Sequence, residues 1–364
     1  MRLGWKELVR RPGRFLAAGG ALTLIVILLL LLGGLLDGLF NASTGAFRAQ
    51  TAEIIVYSAD SRDSLLRSRI DPETENAIRR VPGVRGVTGI GAVLIAGRVV
   101  DRASIVDLAV FGYEAPNERV PAPPPPGVAY ADATLEDEGV AIGDTIAVGP
   151  AQVQVEVGGW VEDTRYLAQG SVWVEPGTWH EVLVTSRPDA ALDDHTFQAA
   201  LVEAADDPEA VAERIQAQVP GTSPLTIDEA VFSLPGVGAQ KDTFAQIIGV
   251  TFLVAGLVVA LFFALVVLER IGLLGMLKAV GASTPQLAAG LVTQAVLVAL
   301  GAFVLGGAIS IALAAVVPAE IPVEIEARRA VLTGFGVVAT ALIGSGVSFR
   351  RIVRIDPASA VGGS

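Results

Sequence analysis

The amino-acid sequence predicts an α-helical membrane protein with four transmembrane helices and an α+β extracytoplasmic domain. Its mean hydropathy is +0.58 and 52% of its 364 residues are hydrophobic, which is unusual for a soluble domain. A helix needs about 20 apolar residues to cross a bilayer. Runs without Asp, Glu, Lys or Arg that reach this length occupy residues 15–36, 243–268, 279–319 and 330–349.

The N-terminal part predicts a cytoplasmic interfacial helix at residues 1–13, followed by transmembrane helix 1 at 14–38. Leu3, Trp5 and Leu8 lie among basic residues, a composition that suits either an interfacial helix or a plain basic flank. A cleaved signal peptide is a weaker alternative, because the apolar run is longer than that of a signal peptide and no clear A-x-A site follows it.

Residues 39–242 are predicted to form the extracytoplasmic α+β domain from two βαβ-like units. Each unit has a strand, an Asp-Pro pair that opens a short helix and a Val-Pro-Gly stop, and the two Asp-Pro pairs begin at Asp71 and Asp207. A β-rich insertion at about 115–192 separates the units and is entered through the proline-rich spacer 121–127. Because the chain has no cysteine, this domain must be stabilised by its own core.

Caps and charges predict the rest of the membrane part. The run at 279–319 lacks the polar hairpin that two crossings would need, and Ser283 with Gln286 predicts a capping box at the start of one long helix. The predicted order is transmembrane helix 2 at 243–268, a cytoplasmic coupling helix at 269–283, transmembrane helix 3 at 284–317, a short external loop at 318–328, transmembrane helix 4 at 329–349 and a cytoplasmic basic tail at 350–364.

Charge asymmetry predicts the orientation. The N-terminus and the C-terminal tail are both rich in arginine, so both are predicted to be cytoplasmic. Residues 39–242 hold 14 Lys and Arg against 31 Asp and Glu, a net charge of −17, which agrees with an external location. Arg328 and Arg329, at the outer end of the last span, are the exception to this rule.

The sequence contains no motif typical of a catalytic, cofactor-binding or metal site. It has no nucleophile elbow, H-E-x-x-H pair or nucleotide-binding phosphate loop, and its two histidines, His180 and His195, lack ligand-like spacing. The four apolar runs carry no ionisable residue, which disfavours a proton- or ion-coupled transporter. The negative charge of the external domain disfavours nucleic acid as a partner.

The stretch ERIGLLGMLKAVGAS, residues 269–283, lies between predicted transmembrane helices 2 and 3. Its apolar residues and Lys278 predict a short helix, and Gly281 suits the left-handed position that ends a helix. Such a helix can dock into a groove on another protein or lie in the lipid interface. Residue chemistry alone leaves both possibilities open.

Three cytoplasmic motifs resemble those of FtsX/MacB-type ABC transporter permeases. Residues 269–283 are similar to the family's coupling segment, E-R-x-x-E-I-G-I-L-[RK]-A-[IL]-G-A-S. Residues 350–360 resemble its R-x-x-R-x-x-P-x-x-A ending, and residues 8–12 its L-x-R-[NR]-P entry into helix 1. Leu273 departs from the pattern, because the family has Glu there, so a salt bridge from that position to the ATPase cannot be carried over.

The resemblance implies a non-catalytic permease dimer of the bacterial cell membrane, formed with a second copy or a homologous permease. Two separate ABC ATPase subunits would bind ATP and Mg, and this chain itself would bind no cofactor. Mechanotransmission from the ATPase to the external domain would then move or extract an amphipathic substrate such as a peptide, drug or lipoprotein, with an external substrate-binding protein as a further partner. The alternative is a signalling scaffold that activates an external cell-wall hydrolase without transport.

The resemblance also assigns roles to individual residues. The implied ATPase-coupling residues are Leu273, Leu274, Met276, Leu277, Lys278, Val280, Gly281, Ala282 and Ser283. The implied helix-end and basic-tail contacts are Glu269, Arg270, Arg350, Arg351 and Arg354.

Overall fold

The computed structural model describes residues 12–100, 102, 104–187, 192, 193, 195–269, 272, 276–278, 280–318 and 321–353. The chain divides into two compact units. The membrane unit contains the residues up to Gly38 and those from Lys241 onward. Residues 39–240 form the other, which we call the external unit after its predicted location.

The secondary-structure elements of the described residues are as follows. The helices are α1 Pro12–Arg48, α2 Pro72–Arg79, α3 Pro176–Ser186, α4 Pro208–Gln218, α5 Ile227–Ser233, α6 Val237–Glu269, α7 Thr284–Ala314 and α8 Ala327–Val353. The strands are β1 Ile54–Ser58, β2 Val84–Val99, β3 Ile105–Tyr113, β4 Val128–Asp132, β5 Thr145–Val148, β6 Val153–Val161, β7 Gly170–Val174, β8 Ala199–Ala204 and β9 Thr222–Thr226.

The described part of the chain has four helices long and apolar enough to cross a bilayer, which confirms the predicted number: α1, α6, α7 and α8. The run at 279–319 gives the single helix α7 and no second crossing. Helix α1 continues past the predicted limit at 38 to Arg48, and α6 already begins at Val237. The difference arises because a run without charged residues marks only the part of a helix that lies in the bilayer. The helical hydrogen bonds can continue beyond that run into a domain outside the bilayer.

Small residues bring the four helices close together in the membrane unit. A Cβ atom on Gly344 of α8 would lie 2.8 Å from the carbonyl oxygen of Gly256 on α6. A Cβ atom on Gly306 of α7 would lie 2.7 Å from the Val26 side chain on α1. Glycines at these two positions therefore allow close helix packing, as is usual in membranes. Around them lies a core that includes Val26 and residues of all four helices.

The external unit contains two βαβ units, as predicted, and the structure shows that their strands interleave. Strands β9, β1, β8 and β2 lie side by side in that order, and each pair is antiparallel. This is the ferredoxin-like arrangement of a split βαβ pair, with α2 and α4 as its helices. Ile78 of α2 and Ile215 of α4 share one core with Ile54 of β1.

The insertion between the two units builds a closed barrel. Within the described residues, pairing runs from β2 through β3, β7, β4, β6 and β5 back to β2. Strand β2 is 16 residues long and belongs to both the ferredoxin-like part and the barrel. Its first half pairs with β8, and its second half pairs with β3 and β5. The barrel therefore includes β3, which lies before residue 115 and outside the sequence segment predicted for the insertion.

Candidate coupling site

The structure describes the coupling segment, residues 269–283, at Glu269, Gly272, 276–278 and 280–283. Glu269 is the last residue of α6, and residues 276–278 are helical. Arg270, Leu273 and Leu274 lie outside the described residues, so the roles assigned to them stay predictions.

Gly281 ends the short helix in the left-handed conformation that the sequence predicts. Its φ is +103°, a value that is strained for any residue with a Cβ atom. The amide of Gly281 donates to the carbonyl of Lys278 at 3.2 Å, and the amide of Ala282 donates to the carbonyl of Leu277 at 2.9 Å. These are the two hydrogen bonds of a Schellman motif. The stop therefore depends on glycine at this position.

Helix α7 starts immediately after this stop. Ser283 has an extended backbone, with φ −72° and ψ 147°, and Pro285 lies in the first turn. The side-chain oxygen of Gln286 accepts a hydrogen bond from the amide of Ser283 at 3.0 Å, as expected for a capping box. The two helices are thus joined by a rigid, locally hydrogen-bonded corner.

The coupling segment presents an apolar face to its surroundings. The exposed fractions of Met276, Leu277 and Val280 are 63%, 41% and 84%. Met276 and Val280 are one helical turn apart and therefore lie on the same face. We call these three side chains the apolar face. Its chemistry suits an apolar groove on a partner.

Two of the predicted basic-tail residues lie in the last turn of α8. This helix continues to Val353, so Arg350 and Arg351 are helical, although the tail was predicted to begin at residue 350. Arg354 lies outside the described residues.

At the other end of the membrane unit, Asp37 of α1 and Arg329 of α8 form an ion pair that sequence reasoning missed. Nε and Nη2 of Arg329 donate to the two carboxylate oxygens of Asp37, a bidentate geometry. Asp37 is only 8% exposed, and a Cβ atom on Gly33 would lie 2.8 Å from Cδ of Arg329. The pair explains one of the two arginines that break the positive-inside pattern. That anomaly, beside an acid at the end of the first apolar run, was the available signal.

Gly34 and Gly38 of α1, which we call the glycine track, lie against the extended segment 321–326. The amide of Glu324 donates to the carbonyl of Gly34 at 2.9 Å. A Cβ atom on Gly38 would lie 1.9 Å from the carbonyl oxygen of Pro322. Gly34 and Gly38 therefore allow the close approach of an extended chain, whose backbone needs the missing Cβ atoms, whereas Gly33 lies against Arg329 of helix α8.

Within the external unit, the end of α1 is bound to the loop 163–168. Three backbone bonds of 3.0–3.1 Å join them: Ala46 N to Arg165 O, Leu167 N to Ser43 O, and Ala168 N to Ala42 O. Arg48 adds an ion pair with Asp163 at 2.8 Å. The buried carboxylate of Asp132 accepts a bond from the amide of Thr164 at 2.8 Å and holds the loop itself. Residues 42–48 and this loop are therefore one rigid assembly.

The two histidines line the same pocket of the external unit, although their spacing in the sequence is not that of paired metal ligands. His180 and His195 line a space of about 340 Å³ together with Glu114, Trp179 and Phe197. Across the described residues, no group of three or more His, Cys, Asp or Glu side chains is arranged to hold a metal ion.

Comparison with known families locates the resemblance in the membrane unit. Residues 246–357 match the family model of the FtsX-like permease C-terminal domain. The match includes the whole coupling segment, α7 and α8, and confirms the resemblance that the cytoplasmic motifs predicted.

Curated relatives match over a similar length. An uncharacterized ABC transporter permease of Mycobacterium tuberculosis is 38% identical over 122 residues, which are 34% of each chain. HrtB of Staphylococcus epidermidis, named for a hemin transport system, is 21% identical over 145 residues, 40% of this chain and 41% of that protein. The chain thus spans about two fifths or less of the length of these relatives.

Two solved structures align with the chain at a TM-score of 0.34. The extracellular domain of the transporter YknZ, from Gram-positive bacteria, is 12% identical and aligns over 48% of this chain and 98% of its own. The periplasmic region of MacB from Actinobacillus actinomycetemcomitans is 10% identical and aligns over 52% of this chain and 94% of its own.

Proposed function

Residues 246–357 match an FtsX-like permease C-terminal domain, and from this premise we propose that the chain is a non-catalytic membrane subunit of an ABC transporter. It works as a dimer with two separate ABC ATPase subunits, which bind ATP and Mg. The observation that carries this proposal is the exposed apolar face on the coupling segment.

The ATPase binds the apolar face on the cytoplasmic side of the membrane. Burying a Leu, Met or Val side chain contributes roughly 1.5–3 kcal/mol, so each of these three side chains adds measurably to the free energy of ATPase binding. The Gly281 stop and the Ser283 restart keep this face at a fixed angle to α7. A displacement of the coupling segment is therefore passed to α7 and is not absorbed by a loop.

Mechanotransmission toward the external unit uses the long helices. Helix α1 contains residues of both units, from Pro12 to Arg48, and so does α6. Because the loop 163–168 is bonded to the end of α1, axial motion of α1 moves the barrel strands that flank this loop. In this arrangement the N- and C-termini are cytoplasmic, and the external unit acts on an amphipathic substrate outside the cell membrane.

Substitutions in the coupling segment test the proposal. Leu277→Glu places a charge in the apolar contact, and Gly281→Val strains the backbone that ends the helix. We expect Leu277→Glu to weaken ATPase association by about 30-fold or more, the equivalent of one buried apolar side chain, and Gly281→Val to weaken it by displacing the apolar face. The measurements are co-purification of the ATPase with the full chain and the rate of substrate-stimulated ATP hydrolysis in reconstituted complexes.

Matched variants separate coupling from general damage. Leu277→Met keeps the face apolar and should retain coupling. Gly281→Asn introduces a residue that adopts positive φ more readily than valine does, so it should lose less coupling than Gly281→Val. Unchanged ATPase association in Leu277→Glu would overturn the proposed contact. If the ATPase still associates with the chain, a cell-wall hydrolase is activated and no substrate moves, the chain is instead the signalling scaffold.

A further inference from the structure

A second pocket, in the membrane unit, combines a charged rim with an apolar wall. It has a volume of about 290 Å³ between α6 and the start of α8. Its lining includes the charged residues Glu326, Arg328 and Arg329, which we call its rim, and the apolar residues Ile248, Phe252 and Leu332, which we call its wall. Neither the coupling function nor the Asp37–Arg329 pair requires such a pocket.

The polarity of the pocket follows the direction of the helix. Arg328 lies in the first turn of α8, which begins at Ala327. Leu332 comes four residues later, or about 6 Å further along the helix axis. Ile248 and Phe252 are also four residues apart, so both lie on one face of α6. A molecule in this pocket would therefore meet charge at the helix end and hydrocarbon beyond it.

The rim has one arginine without an ion-pair partner in the described part of the chain. Arg329 also lines the pocket, but its guanidinium is engaged by Asp37. Arg328 is exposed, and among the described residues no carboxylate lies within ion-pair distance of it. Arginine at the outer end of a span opposes the positive-inside rule. Its planar guanidinium suits bidentate contact with phosphate or carboxylate oxygens.

We propose that this pocket binds the anionic headgroup, a phosphate or a carboxylate, of a molecule with an acyl chain. Arg328 holds the headgroup, and the acyl chain lies against Ile248, Phe252 and Leu332. Glu326 repels the negatively charged headgroup and therefore lowers the affinity of the pocket for it. This site deepens the proposed function and rests on it, because it gives the transported amphiphile a chemical class.

Photolabelling of the full chain without ATPase tests the site. The protein in nonionic maltoside micelles receives one of three probes with a diazirine in the acyl chain: a phosphatidic acid, a fatty acid or a diacylglycerol. Mass spectrometry then measures labelling of peptides that contain Phe252 or Leu332. We expect the two anionic probes to label these peptides about tenfold more than the neutral diacylglycerol. Their ratio tells whether phosphate or carboxylate is preferred.

Removing the charge of Arg328 or of Glu326 should change labelling by the anionic probes in opposite directions. Arg328→Gln should reduce labelling by the anionic probes about 5- to 10-fold, and Glu326→Gln should increase it about twofold. Arg85→Gln, which removes an exposed arginine from the external unit, is the matched control and should leave labelling unchanged. If Arg328→Gln fails to fold, Arg328→Lys, which keeps the charge but loses the bidentate contact, should still reduce labelling by the anionic probes, and Glu326→Gln should still increase it.

Equal labelling by neutral and anionic probes would overturn the site, as would a Glu326→Gln variant with unchanged labelling. Because the ATPase is absent, this failure is distinguishable from failure of the proposed function. Loss of anionic preference with intact ATPase coupling removes only the pocket. Charge-selective labelling in a chain that does not bind an ATPase removes only the proposed transporter role.

Discussion

Two regions of the membrane unit are stabilised by contacts that differ in sequence separation: one by local contacts and the other by contacts between distant residues. In the coupling segment, the hydrogen bonds around Gly281 and Ser283 join residues no more than five apart. The Asp37–Arg329 pair joins residues 292 positions apart and lies beside the glycine track. The first region leaves apolar side chains exposed, whereas the second uses its side chains within the fold. We therefore expect substitutions to affect coupling in the first and stability in the second.

The largest effect on stability is expected from Gly38→Ala in the glycine track. The added Cβ atom would lie 1.9 Å from the carbonyl oxygen of Pro322, so backbone must move. Overpacking destabilises a fold by about 1–3 kcal/mol, and a clash with backbone lies at the upper end of this range. Thermal unfolding of the full chain in detergent measures the loss.

Gly20→Ala on the same helix is the matched control. No atom lies within 4 Å of the Cβ position at Gly20. Alanine is favoured over glycine inside a helix by up to about 1 kcal/mol, so this variant should be equally or more stable. Equal melting temperatures for the two variants would show that the glycine track is not tightly packed.

A smaller loss is expected when the Asp37–Arg329 pair is broken. Asp37→Asn leaves the guanidinium of Arg329 without its counter-charge and should cost about 2 kcal/mol. The cost is below that of a fully buried pair, since the Arg329 side chain is 35% exposed. Unfolding of the two single variants and of Asp37→Asn with Arg329→Gln gives a double-mutant cycle. Strictly additive losses would mean that the two groups do not stabilise each other.

The same difference in range explains what the sequence could predict. The four spans, the Gly281 stop, the Ser283 restart and the two βαβ units all follow from patterns within single continuous segments of the sequence, the longest of them from β1 to β2. The ion pair follows from no such segment. Its one signal was the anomaly of Arg328 and Arg329 at the end of the last span, which did not tell which of the two approaches Asp37. Closure of the barrel is also non-local. Strand β3 follows β2 in a hairpin, but β2 pairs Gly97 with Val148 of β5, and β3 pairs Leu108 with Gly170 of β7.

The smallest effect is expected at Asp71, whose cap on α2 is a local contact that the sequence predicted. Its Oδ1 accepts a hydrogen bond from the amide of Thr74 at 2.7 Å, and this bond lowers the pKa of Asp71 below its ordinary value. A carboxylate with a lowered pKa in the folded state stabilises the fold above the unfolded pKa of about 3.9, and this stabilisation is lost as pH falls through the folded pKa. Asp71→Ala should therefore cost about 1 kcal/mol at pH 7 and progressively less in acid.

Asp71→Asn separates the charge of this cap from its hydrogen bond. Asparagine caps a helix about as well as aspartate but does not titrate, so its stability relative to Asp71→Ala should not change with pH. Thermal unfolding of the wild-type chain and both variants between pH 7 and pH 3 measures this. A pH-independent cost of Asp71→Ala would contradict the role of the carboxylate. A cost above that of Gly38→Ala would reverse the ranking, because the local contact would then stabilise the fold more than the distant one.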